Sequence, residues 1–204
     1  MNLKDNYAEL LSKIGFGTNE IQQNWLDLEK AYSKKSRHYH NLTHIQDMMA
    51  CYEKYSDQLE FPNEVLYAIF YHDYIYVSSK KDNELKSAEF AVKILPKETT
   101  LNSELVFDMI CATQLHQHNA IEDTNWLIDF DLKILARDWD GYKTYFEQIR
   151  KEYRIYPDFL YKPGRAKALK HFLENEFIFQ TDEFRNLYEK KARANIEKEI
   201  SLLS

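Results

Sequence analysis

Six of the seven histidines in this chain fall in three short stretches. His38, His40 and His44 lie in RHYHNLTH, His72 precedes Asp73 in FYHDY, and His116 and His118 lie in QLHQH; His171 stands alone. Neutral imidazole and carboxylate are the usual ligands of a catalytic transition metal, so histidines clustered beside acids call for a metal hypothesis. His72-Asp73 closes a strongly apolar segment. An ionised Asp is costly in a core unless something compensates it, and a divalent cation would both compensate Asp73 and keep His72 neutral. The structural alternative is a helix end, where the macrodipole favours His. His40 and His44 are four residues apart; with Asn41 as N-cap, both would face one pocket. Asp129 and Asp131 sit two apart in WLIDFDLKIL. On a helix they point about 200° apart, so they should not share one role.

The elements that position these residues are helices. Apolar spacing supports about nine of them by template matching. The stripes start at Ile21, Ile45, Val65, Leu85, Leu105, Trp126, Tyr142, Ala168 and Phe184, and the N-terminal segment also carries helix-like periodicity. The segment Val65–Tyr71 is apolar nearly all round and should be central. The four Gly and four Pro fall between periodic segments, Pro163 and Gly164 among them. Asn41 and Thr124 are candidate N-caps. No strand alternation, repeat or low-complexity stretch is evident. A chain of 204 residues with 44% hydrophobic and 15% aromatic content fits one all-α domain over residues 1–204. Its core is expected over about 20–150, with C-terminal helices over about 156–204 packing on it.

The net charge of −6 argues against a dedicated nucleic-acid partner. No apolar run approaches the roughly 18 residues of a membrane span. Cys51 and Cys111 lie in apolar-periodic segments and are expected to be reduced and buried, in a cytoplasmic protein.

The order His…His-Asp…Asp on separate helices resembles the HD-domain superfamily. The run RHYHNLTHI, FYHDYIY, DNELKSAEFA, ATQLHQH, WLIDFDLKIL, IRKEY, PGRAKALKHFL and KKARANIEKEI is similar to the bacterial family of predicted metal-dependent HD-superfamily phosphohydrolases. YHNLTHIQDM also resembles the opening motif of the cyclic-nucleotide phosphodiesterases. The resemblance implies an HD-domain-like helical bundle in which His44, His72, Asp73 and Asp131 hold one divalent transition metal (Mn, Fe, Co, Ni or Zn). It gives Asp129 the lesser claim, His40 the role of proton donor, and His116 that of an extra ligand or substrate-facing residue. The implied activity is hydrolysis of a small phosphorylated or nucleotide-like molecule by metal-activated water. Arg37, Arg150 and Arg165 lie in family-like segments and are candidates to neutralise phosphate. Asn83 and Glu84 either begin a helix or stand behind the metal ligands and orient them. Two other classes remain open: an iron-dependent oxygenase with a second metal near His116 and His118, and a non-catalytic metal-stabilised binding module. Charged residues mixed with Tyr in the last helix would suit either solvent or a homodimer contact.

Overall fold

The computed structural model describes residues 2–203, and among them there are ten α-helices and no strand. In chain order they are α1 (Leu3–Lys13), α2 (Thr18–Tyr32), α3 (Leu42–Tyr55), α4 (Pro62–Tyr71), α5 (Asn83–Lys93), α6 (Ser103–Ala112), α7 (Glu122–Leu132), α8 (Trp139–Glu152), α9 (Asp158–Glu174) and α10 (Asp182–Leu203). Single 3-10 turns, Ser56–Gln58 and Lys133–Ala136, follow α3 and α7. The all-α bundle agrees with the apolar spacing; the helix beyond the expected nine is α1, whose Tyr7, Leu10 and Leu11 are buried. One buried cluster takes side chains from all ten helices.

The segment expected to be central is α4, which is buried from Glu64 to Tyr71. It packs against α1, α3, α5, α6 and α7. Each large apolar side chain it hides contributes about 1.5–3 kcal/mol, so α4 is fixed by packing on every side. Both its ends are tied down. Asp123 accepts the main-chain N–H groups of Glu60 and Phe61 at 3.2 and 2.6 Å, which fixes the entry into α4. Near the exit, the Tyr32 hydroxyl donates to the Phe70 carbonyl at 3.0 Å, and the hydroxyls of Tyr7 and Tyr71 meet at 2.6 Å. His72 and Asp73 therefore leave α4 at a rigid point.

Several local expectations need correction. Asn41 does cap α3, accepting the Thr43 N–H at 2.8 Å. Thr124 does not cap α7, which begins at Glu122, and Thr124 is buried inside it. Asn125 sets that start by bonding both the N–H and the carbonyl of Asn119, which closes the preceding turn. Pro163 and Gly164 lie inside α9 rather than between helices. The proline is on an exposed side, where the carbonyl it leaves unpaired can face water. Gly141 likewise lies within α8. Leu85 is exposed, and the inward face of α5 is formed by Asn83, Ser87, Ala88 and Ala91. Cys51 is buried but Cys111 only half so. No helix among the described residues is long and apolar enough to cross a membrane.

Candidate metal centre

His44 lies in the first turn of α3, His72 follows the last residue of α4, and Asp131 lies in the last turn of α7. Their ligand atoms fall within 4.8 Å of one another and form a group that could hold a metal ion. His44 Nε2 is 3.2 Å from His72 Nε2 and 3.2 Å from Asp131 Oδ1. Asp73 stands beside them, its Oδ2 3.2 Å from His72 Nε2 and 4.0 Å from His44 Nε2. The chemistry of this donor set fits a cation. His72 Nδ1 lies 3.0 Å from the Ile69 carbonyl, which can only accept, so that nitrogen carries the proton. A neutral His72 then turns a lone pair from Nε2 toward His44 and the two carboxylates. Fixing the outer nitrogen on a carbonyl is how metal-binding histidines are usually oriented.

The electrostatics of the cluster agree. Burial works against a charge on His72, yet the Asp73 carboxylate beside it pushes its pKa up to about 9. Burial would also raise Asp73, but the adjoining His72 ring holds it well below the usual carboxylate range. Asp131 is held low in the same way, against burial, by hydrogen bonds from His116 and His44. Positive charge is drawn to this point, whether as a proton or as a metal.

His40 occupies the loop before α3 and is anchored by a residue the sequence reading did not single out. Its Nδ1 is 2.6 Å from Glu152 Oε2, which also accepts the Tyr76 hydroxyl at 2.8 Å. The other oxygen of Glu152 accepts the main-chain N–H groups of His38, Tyr39 and His40 at 2.7, 2.8 and 3.0 Å. Tyr76 stacks on the His40 ring with centroids 4.2 Å apart. Burial opposes charging His40, but Asp73 and the Glu152 contact raise its pKa. A signal for Glu152 was present. It continues the stripe Tyr142, Tyr145, Ile149 of α8 at helical spacing, and an acid there sits on an apolar face at a helix C-terminus, where the dipole disfavours it.

The other candidates separate sharply. His116, at a positive φ of 52°, places Nε2 3.1 Å from Asp131 Oδ2 and so joins the cluster from its far side. Arg37 is buried, but its guanidinium donates to the carbonyls of His40, Asp73 and Tyr74 at 3.2, 2.7 and 2.8 Å. It ties the His40 loop to the end of α4 rather than offering a fork to a phosphate. Arg150 is likewise committed, to Asp158 and to the carbonyls of Tyr153 and Tyr156. Asn83 bonds both main-chain groups of Val77 and the Lys80 carbonyl; it shapes the 77–80 loop and orients no ligand. Glu84 is half-buried, and its pKa is raised by burial, with the nearby Asp73 charge adding to this. Asp129 points away from the cluster, accepting the N–H of Gln180 and both the N–H and hydroxyl of Thr181. His118 is exposed, and His38 serves through its main-chain N–H.

No protein-family model, curated protein or solved structure matches this chain. What the centre can do rests on its own residues. A cavity of about 550 Å³ opens beside the cluster, with His40, His116 and Asp131 on its lining. Tyr39 and Arg165 also line it, and Arg165 is the one candidate arginine that reaches this space. Its Nε and Nη2 donate to Glu199 at 2.8 and 3.2 Å, and Nη2 also to the Tyr145 hydroxyl at 3.3 Å.

Proposed function

We propose that this chain is a metal-dependent phosphohydrolase of the HD type, acting on a small phosphate ester. The observation that carries the reading is the convergence of His44 Nε2, His72 Nε2 and the Asp131 carboxylate next to a cavity that also presents His40. His44, His72 and Asp131 would hold the ion, with Asp73 beside them. A bound divalent transition metal would supply a Lewis acid for a phosphoryl oxygen and lower the pKa of water at the site.

The remaining work falls to side chains. Glu152 takes the Nδ1 proton side of His40, so a protonated His40 carries its second proton on Nε2, the nitrogen left without a partner in the dyad. That proton is available to the leaving oxygen as the P–O bond breaks. The raised pKa of His40 suits a general acid near neutral pH. Tyr76 and the three main-chain donors keep the Glu152 carboxylate ionised and fixed, so the imidazole is aimed before substrate arrives. His116 rests on the outer oxygen of Asp131 and sets the orientation of that carboxylate.

The test begins with elemental analysis of protein purified without chelator, followed by reconstitution with Mn, Fe, Co, Ni or Zn and a screen of phosphate mono- and diesters. Stoichiometric metal and hydrolysis of an ester, releasing phosphate from a monoester or an alcohol and a monoester from a diester, both lost in Asp131→Ala, are the expected results. A chain that binds no transition metal after reconstitution would end this reading. Two irons per chain with consumption of dioxygen would replace it with the oxygenase.

A further inference from the structure

We infer that the cavity beside the metal centre selects a phosphate ester whose leaving group is an uncharged aromatic ring. The inference rests on the phosphohydrolase reading and specifies its substrate. One wall of the cavity is a single face of α9: Tyr161, Gly164, Arg165, Ala168, Leu169 and Phe172 recur at helical spacing. Tyr39, Tyr145 and Tyr153, from outside α9, also line it. Flat aromatic walls prefer a ring, by offset stacking or edge contact, over a flexible chain of equal area.

Charge narrows the class further. Arg165 is matched by Glu199, so the pair adds no net charge to the cavity. His40 and His116 are paired in the same way, with Glu152 and Asp131, and the lysines of the lining, Lys80 and Lys81, are exposed on the loop at its edge. A second phosphate or a carboxylate carried into the interior would meet no unpaired cation. The phosphoryl group belongs at the metal centre and an uncharged ring belongs in the cavity.

Space for that ring is made by small residues. A Cβ built on Gly164 meets nothing within 4 Å, and Ala168 follows one turn later on the same face. Glycine inside a helix is otherwise disfavoured relative to almost any residue but proline.

The test is calorimetric binding to the metal-reconstituted protein, with naphthylmethylphosphonate, hexylphosphonate and methylphosphonate as non-hydrolysable probes. The naphthyl compound should bind about tenfold or more tighter than methylphosphonate and tighter than the hexyl compound. Gly164→Leu should erase the naphthyl advantage over methylphosphonate without lowering the thermal midpoint, because a Cβ at this position meets nothing within 4 Å and leucine suits a helix better than glycine. Equal or tighter binding of the hexyl compound would overturn the inference, as would a naphthyl advantage that survives Gly164→Leu. If none of the three phosphonates binds the reconstituted protein, the phosphohydrolase reading itself falls, and the inference with it.

Discussion

Replacing Glu152 with Gln should cost stability and shift the pH dependence of turnover together. The wild-type carboxylate is buried, and its pKa is drawn from the ordinary 4.5 down to about 2; burial opposes this, and the His40 contact with the main-chain N–H groups outweighs it. That drop corresponds to about 3 kcal/mol of stabilisation at neutral pH. The sign follows from the depressed value. The stabilisation is present in full above about pH 4.5 and is lost as pH falls through about 2. Glutamine keeps the shape, and its carbonyl can still accept main-chain N–H groups, but its amide nitrogen presents donors to the His40 Nδ1 proton. Urea unfolding near pH 7 should therefore find the variant about 2–3 kcal/mol weaker. For a chain of this size that lowers the thermal midpoint by roughly 4–12 °C. Near pH 3.5 the gap should shrink to about half. With the Glu152 charge gone, the His40 pKa falls, so the alkaline limb of kcat/KM moves to lower pH. A variant within about 0.5 kcal/mol of wild type at neutral pH, or a gap that does not narrow in acid, would refute the account of this dyad.

His72→Ala should abolish stoichiometric metal in elemental analysis. It should also remove the stabilisation that added metal gives the wild type, about 2.7 kcal/mol at a hundredfold excess over Kd, as read by thermal unfolding. Arg165→Met strands the buried Glu199 and should cost about 3–5 kcal/mol; adding Glu199→Gln should recover part of it, as a double-mutant cycle in urea would report. Asp129→Ala leaves the N–H groups of Gln180 and Thr181 without their acceptor and should cost about 2–4 kcal/mol, yet leave metal content unchanged, in contrast to Asp131→Ala. Chelation of the reconstituted protein should abolish methylphosphonate binding in calorimetry, because the cluster left behind is anionic.

Helix positions were legible because burial follows the 3.6-residue period, and α4 announced itself by being apolar on every side. The histidines and acids of the cluster were visible as types before their distances were known. The arginines were not. Arg37 and Arg165 look alike in a sequence, and only the fold decides that one is tied to three carbonyls through its Nη atoms while the other reaches a cavity. Glu152 stands among lysine, arginine and tyrosine in IRKEY, although its register on the apolar stripe of α8 sets it apart. Glu199 has the same signature, continuing Ala192, Asn195 and Ile196 on the buried face of α10. An acid on a buried helical stripe implies a partner somewhere in the fold, but pattern alone does not say that the partner is His40 or Arg165.

The geometry of helix ends explains why these acids were placed at such cost. His72 caps the C-terminus of α4, Asp131 lies in the last turn of α7, Glu152 is the last residue of α8, and His116 follows the C-terminus of α6. Helix C-termini carry partial negative charge, and carboxylates there are unfavourable unless a cation compensates them. By contrast, α3 brings its N-terminal turn, with His44, to the cluster, and α5 begins nearby with Glu84. The backbone and the side chains thus build a negative potential at one point, and the histidines facing it either take up protons or give their lone pairs to a metal. The same potential would repel a phosphate. A cation at His44, His72 and Asp131 is therefore what would turn this junction of helix ends from a place that excludes an anionic ester into one that binds it, with His40 already aimed by Glu152.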